Sequence, residues 1–405
     1  MNALAELKQR ADYTHKYNVH SGRHGWLRLT PAYSVKVVEE ILSNYEADGR
    51  VLDPFCGSGT TALCAARLGL SSSTTDINPF LIWLASVKTR GYSAEDIALT
   101  RDTCEHVLEG IGKAWKPVVA PPIHKIERWW SEASLSFLCD LKGAIECVDA
   151  PENTKNLLLV SFCRTLIKLS NAAFNHQSMS FKDGDAEAEL TIDRRAVFRE
   201  DVAHVLDGCA EKIHAHADVI LNDARALKAD ALGKFDLVIT SPPYANRMSY
   251  IRELRPYMYW LGYLKEAREA GELDWQAIGG TWGVATSRLN DWEASSEYQN
   301  EHLSDVVQAI SQAENKHAET LSRYVHKYHE DIYAHLSSLT GVLNRGARVH
   351  YIIGNSTFYG TLVSVEDIYA DIMEKVGFYD IDIKPIRKRN SKKELIEFDV
   401  SATAG

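Results

Sequence analysis

Cysteine is sparse and unpatterned in this 405-residue chain. Seven cysteines (56, 64, 104, 139, 147, 163 and 209) are scattered without a Cys-x-x-Cys pair, and the count is odd. This spacing suggests neither a zinc site nor a disulfide framework and is read as reduced, mostly buried thiols. Long apolar runs are missing too. The densest, residues 157–169, is interrupted by Arg164 and Lys168 and is too short to span a bilayer. Residues 1–17 are polar and charged, so no signal peptide is read there. Internal repeats and low-complexity tracts are absent. The expectation is a cytoplasmic protein without a membrane partner. Positive charge is outnumbered: 45 Lys and Arg stand against 55 Asp and Glu, a formal net charge of -10. That balance does not advertise a nucleic-acid binder, although a basic cleft can sit on an acidic protein. What is present is ordinary for a globular enzyme: 45% hydrophobic residues and enough length for one sizeable core plus an added domain.

Two peptides carry most of the information. Arg50-Val51-Leu52, a short apolar run, leads into Asp53-Pro54-Phe55-Cys56-Gly57-Ser58-Gly59-Thr60-Thr61. A glycine turn after a buried strand lets backbone N–H groups approach a ligand closely. Far along the chain, Phe235-Asp236-Leu237-Val238-Ile239 leads into Thr240-Ser241-Pro242-Pro243-Tyr244. Proline fixes its own backbone angle and restricts its predecessor, so this turn can aim a hydroxyl, rigid carbonyls and an aromatic face. An exocyclic amine on a base is a poor nucleophile, because its lone pair is delocalised into the ring. Acceptors on its hydrogens can hold it in line with an electrophilic methyl group. A serine hydroxyl and a proline carbonyl suit that task, and a following tyrosine can stack on a base that has left its helix. The chain contains no Pro-Cys dipeptide, which argues against attack on a pyrimidine ring carbon.

The nine-residue glycine peptide together with Thr-Ser-Pro-Pro-Tyr resembles the S-adenosylmethionine-dependent DNA amino-methyltransferases of restriction-modification systems. Ser241 at the head of Pro-Pro-Tyr is most similar to the N4-cytosine branch; Asp or Asn is commoner there in the adenine-N6 branch. The resemblance implies a doubly wound, mostly parallel seven-stranded α/β sheet with a helical insertion. It implies double-stranded DNA as partner, and a stand-alone modification enzyme of this size would fit a restriction-modification system, which makes a cognate restriction endonuclease a candidate partner. Ser241, Pro242, Pro243 and Tyr244 become the catalytic candidates. Asp53, Pro54, Phe55, Gly57, Gly59 and Thr60 become cofactor candidates, with Asp76 and Asn78 at the end of a second strand. Thr30 and Pro31 are carried over for the methionine end of the cofactor, and Asp223 for its adenine amine. Each has a plainer alternative: Asp76 as a helix cap, Asp223 as a turn-forming side chain. Adenine-N6 methylation, RNA base methylation, protein-glutamine methylation and non-catalytic DNA binding are the competing functions.

The order of motifs defines the expected organisation. Residues 1–87 hold the cofactor motif and 213–405 the Ser-Pro-Pro-Tyr motif. Between them, residues 88–212 read as a helical insertion over the site. Helical faces are expected at 93–116, after Trp129-Trp130, and from Pro151 to Leu169. The polar stretch 170–178 could read base edges or simply be solvated. Residues 245–325 form a second candidate DNA-contacting region, with 291–312 as an exposed arm. Arg247, Arg252 and Arg255 are interleaved there with Tyr250, Tyr257, Tyr259 and Trp260, aromatics whose near-helical spacing favours a core. The densest basic run, Lys384 to Lys393, is read either as a surface turn before a last strand at 395–400 or as a phosphate contact. Helices at 328–343 and 365–376 and a strand at 349–356 complete the expected sheet.

Overall fold

The computed structural model describes residues 7–29, 33–45, 49–113, 115–173, 180–181, 191–246, 249–280, 284–295, 297–389 and 394–405. Thr30, Pro31, Arg247, the polar tract from 174 and the end of the basic run lie outside them.

Seven strands form one sheet: β1 (Val51–Asp53), β2 (Ser72–Asp76), β3 (Ala217–Leu221), β4 (Phe235–Thr240), β5 (Leu343–Gly354), β6 (Phe378–Lys388) and β7 (Ile396–Ala404). Their spatial order is β6-β7-β5-β4-β1-β2-β3. β1 pairs in parallel with β2 and β4, β2 with β3, and β4 with β5. β7 runs antiparallel to both β5 and β6, so it alone is reversed. The sheet is therefore mixed but mostly parallel, and strand order reverses direction of growth at β1, where doubly wound folds bind their ligands.

Alternation along the central strands explains why both faces are covered. Val51, Leu237 and Ile239 pack with Val35, Val38 and Leu42 of α1 (Val35–Ser43) and with Cys64 and Ala65 of α2 (Thr60–Arg67). Leu52, Phe235 and Val238 face the other way, into a core shared with two later helices. Residues 60–66 are all buried and all but Leu63 are small, which lets α2 lie close to the sheet. Gly69, with φ +81°, closes α2, a backbone angle that favours glycine. Asn78 caps α3 (Pro79–Thr89) by accepting from Phe80 N at 3.0 Å, and Pro79 takes the first helical position.

Between α3 and β3 stand α4 (Ala94–Gly110), α5 (Glu132–Cys147), α6 (Glu152–Lys168) and α7 (Arg194–Cys209). They share one hydrophobic core with α3 and with α8 (Tyr250–Trp260), the helix that follows Ser-Pro-Pro-Tyr. The Phe80 and Tyr257 rings stack at 5.2 Å, and Trp260 meets Trp130 and Phe162 edge-on at 5.7 and 5.6 Å. Tyr257, Tyr259 and Trp260 are thus core residues. Each large apolar side chain so buried contributes about 1.5–3 kcal/mol. The helical segment and the chain after the second motif are knitted together by these rings.

The C-terminal half departs from the sequence reading in three places. Residues 301–311, expected within an exposed arm, form an amphipathic helix whose Leu303, Val306 and Ile310 are buried. It follows α9 (Ala267–Gln276) and α10 (Val284–Asp291) and is numbered α11 (Glu301–Ser311). It packs on α12 (Ala318–Thr340), which begins ten residues before the expected start and ends before Leu343, the first residue of β5. The basic run is not simply a turn: residues 384–388 belong to β6, with Arg387 registered opposite Glu397. The last helix, α13 (Val365–Lys375), closes the sheet face beside α12.

All seven cysteines are free thiols, six of them buried. Among the described residues no metal-ligand cluster occurs and no helix is long and apolar enough to cross a membrane.

Candidate active site

Residues at or just past the carboxyl ends of four adjacent parallel strands line one cavity of about 290 Å³. Pro54, Phe55 and Gly57 come from beyond β1, Asp76 to Asn78 from the end of β2, and Asn222 and Asp223 from beyond β3. Ser241, Pro242, Pro243 and Tyr244 come from beyond β4. The two motifs, some 180 residues apart in the chain, therefore open into the same space because β1 and β4 are neighbours.

The glycine loop is held by backbone and carboxylate contacts. Gly57 and Gly59 take φ of +49° and +76°. A Cβ on Gly59 would come within 3.0 Å of the Ala85 Cβ, so the loop and α3 approach as closely as they do only because that side chain is missing. Asp76 accepts from Gly57 N at 3.0 Å and from Asn78 N at 2.9 Å, tying the loop to the start of α3. Its alternative role as a helix cap falls to Asn78 instead. Burial raises the Asp76 carboxyl to about 6 despite those two N–H donors. Beneath the loop, the fully buried Lys88 ammonium donates to the Ser58 carbonyl at 3.0 Å, and burial lowers its pKa to about 8. Lys88 was not singled out from sequence; a lysine inside an otherwise apolar helix was the available signal.

Asp53 lies behind the cavity wall, as do Gly59 and Thr60. Its Oδ1 accepts from Thr240 Oγ1 at 2.6 Å and Phe55 N at 3.1 Å. Its Oδ2 is buried with no hydrogen-bond partner among the described residues. Burial raises this carboxyl to about 6. Asp223 caps a short turn through Arg225 N at 2.9 Å, as its plainer reading has it, and also lines the cavity. Burial pushes its pKa up, but the Arg225 guanidinium at 2.7 Å outweighs this and leaves it below the usual aspartate range.

The second motif is braced on three sides. Ser241 Oγ donates to the Ile352 carbonyl at 2.9 Å, leaving its lone pairs to an incoming donor. Tyr328 Oη donates to the Pro243 carbonyl at 2.8 Å. The Tyr244 ring is fixed at its hydroxyl, which donates to Glu397 Oε1 at 2.8 Å, and at its backbone N–H, which donates to Tyr250 Oη at 3.0 Å. Arg387 closes the Glu397 carboxylate with Nε at 2.7 Å and Nη2 at 3.1 Å. The Arg389 guanidinium lies 4.8 Å from the Tyr244 ring centroid. Arg387, Arg389 and Glu397 all line the cavity and all were missed as site residues. They reach it because the reversed β7 begins at the edge where the parallel strands end.

A ligand with a nucleoside part and a cationic amino-acid part fits this donor set. Asp76 and Asp223 offer carboxylates to hydroxyl or amine donors, and Phe55, Ile77 and Leu81 offer apolar walls. Fold and site together define an α/β protein with one cavity at the carboxyl end of its parallel strands, carboxylates on one side and Tyr244 and Tyr250 on the other. Curated relatives are similar along nearly the whole chain. The type II methyltransferase M.BsoBI of Geobacillus stearothermophilus is 23% identical, over 94% of this chain and 84% of that protein. M.AvaI of Nostoc sp. is 22% identical, over 97% and 87%. M.MvaI of Kocuria varians is 21% identical, over 91% and 83%. Among solved structures, the rRNA methyltransferase aviRa from Streptomyces viridochromogenes aligns over 93% of this chain and 88% of its own, with TM-score 0.29 and 13% identity. No protein-family model matches the chain. The three curated relatives are all named type II methyltransferases.

Proposed function

We propose that this protein methylates the exocyclic N4 amine of a flipped cytosine within a specific DNA sequence, using S-adenosylmethionine. The observation that carries the reading is the single cavity into which both the glycine loop and Ser241-Pro242-Pro243-Tyr244 open. Bound there, S-adenosylmethionine supplies an electrophilic methyl group. Asp76 would take the ribose hydroxyls and Asp223 the adenine amine, while Asp53, behind the wall, would brace the glycine loop through Phe55 N and Thr240. Backbone approach at Gly57 and Gly59 keeps side chains out of the ligand's way.

Ser241 acts on the other reactant. Because its own proton goes to the Ile352 carbonyl, its oxygen can accept a hydrogen from the target amine. The Pro243 carbonyl is engaged by Tyr328, which leaves the Pro242 carbonyl as the backbone acceptor for the second amine hydrogen. Two fixed acceptors hold the amine lone pair toward the methyl donor, and the stiff turn keeps them from relaxing. Tyr244, restrained by Glu397 and Tyr250, provides a face for the base to stack on. The M.BsoBI, M.AvaI and M.MvaI names bring type II methylation to this reading, and with it a cognate endonuclease as companion.

Long-read sequencing of plasmid from cells expressing the protein tests this directly. N4-methylcytosine in one short motif, absent with Ser241→Ala, is the expected result. N6-methyladenine would overturn the choice of base. Unmodified DNA from soluble protein that binds S-adenosylmethionine would move the substrate to RNA.

A further inference from the structure

Cytosine shows a donor amine on one side and two adjacent acceptors, N3 and O2, on the other. Acceptors on the amine therefore describe only half of a pocket for this base. The other half needs donors, and a planar fork of two N–H groups matches the N3/O2 pair. Adenine has the amine and N1 but no carbonyl, so a fork would separate the two bases.

Arg387 is committed elsewhere, since its Nε and Nη2 both close on Glu397. Arg389 is not. Its Nη1 donates to the Asn355 carbonyl at 2.6 Å, which anchors the guanidinium. Its Nε and Nη2 have no partner among the described residues, and no carboxylate there lies within ion-pair distance of it. The group lines the cavity and sits 4.8 Å from the centroid of Tyr244. It is half-buried, one residue past the end of β6, with its backbone N–H donating to the Leu395 carbonyl at 2.8 Å.

We propose that Arg389 is the specificity residue that reads the O2/N3 edge of the target cytosine. This rests on the cytosine-N4 reading of the site. The Asn355 contact holds one corner of the guanidinium while the opposite edge is free to donate. A cation on that edge draws electron density from the ring and so does not help the amine attack. Its contribution is to binding, and its loss should appear in KM more than in kcat.

The test uses duplexes carrying the motif found by sequencing, with either cytosine or an abasic site at the target position. Arg389→Ala should lose about tenfold to hundredfold in affinity for the cytosine duplex. It should match the parent on the abasic duplex, where no base edge exists. Arg389→Lys keeps the charge but not the fork and should fall with Arg389→Ala. Equal losses on both duplexes would make Arg389 a phosphate contact or a structural residue and overturn the proposal. So would full rescue by lysine. Cofactor affinity at the parent level, by calorimetry, confirms that each variant is folded. If Arg389→Ala does not fold, the lysine variant alone decides between the outcomes. A parent that methylates adenine, or no base, would bring down the functional reading and this proposal with it, whereas an active cytosine methylase with an indifferent Arg389 would bring down the proposal alone.

Discussion

Ser241 and Asp76 illustrate how one side chain serves two partners. Ser241 spends its only proton on Ile352, which is what makes it an acceptor toward the cavity. If Ser241 acts as proposed, alanine there removes an acceptor from the reacting amine, so turnover should fall about a hundredfold while cofactor affinity stays near the parent value. Single-turnover methyl transfer at saturating cofactor reads this, and a fully active variant would remove Ser241 from the mechanism. Asp76 instead gathers Gly57 N and Asn78 N on one carboxylate, and in the proposed mechanism it serves the cofactor. Asp76→Ala should weaken S-adenosylmethionine about tenfold or more, from the lost ligand contact and the loosened loop together. Calorimetry measures it, and unchanged affinity would dismiss both effects.

Elements were legible where their signals are local. The glycine turn, the apolar runs before both motifs and the capping Asn78-Pro79 fix β1, β4, α2 and α3 from a few consecutive residues. Of the longer helices between α3 and β3, α4, α5 and α6 follow from apolar periodicity, whereas α7 (Arg194–Cys209) was not read from sequence. What escaped was long-range pairing. Arg387, Arg389 and Glu397 enter the site only because β6 and β7 fold back beside β5, and no spacing within 384–397 announces that. The arm misread at 291–312 has another cause. Charged and polar residues dominate it, yet Leu303, Val306 and Ile310 recur on one helical face and bury against α12. Asn300 starts that helix by accepting from Leu303 N at 2.8 Å. Ile310 is wholly buried, so Ile310→Ala should cost about 2–4 kcal/mol of stability, against less than about 0.5 kcal/mol for exposed Gln308→Ala. Urea unfolding of both variants compares them; equal midpoints would mean that this helix does not pack as described.

At the scale of the whole molecule, acidity is spread while the site is mixed. The chain carries -10 overall, yet the cavity is lined by Arg387 and Arg389 as well as by Asp76, Asp223 and Glu397. Two buried carboxyls, Asp53 and Asp76, sit near 6 rather than near the ordinary aspartate value of about 4. Their folded-state pKa values lie above the unfolded ones, so folding takes up protons between about pH 4 and 6. The stability they contribute is full below about pH 4 and is lost as pH rises through about 6. Ligand binding at Asp76 has the opposite sign, because a cofactor that donates to this carboxylate favours its charged form. Raising pH from about 5 to about 7.5 should therefore lower the melting temperature of the ligand-free protein relative to Asp76→Asn, which cannot titrate at that position. The same rise should enlarge the stabilisation by S-adenosylmethionine in the parent, and less in the variant. Comparing slopes rather than absolute values cancels the fixed cost of the substitution and the titration of every shared group. Thermal unfolding of both proteins across that range, with and without S-adenosylmethionine, decides the matter. Parallel curves would mean that the carboxylate closing the glycine loop is already charged at pH 5, and that the loop's affinity for its ligand does not depend on releasing a proton there.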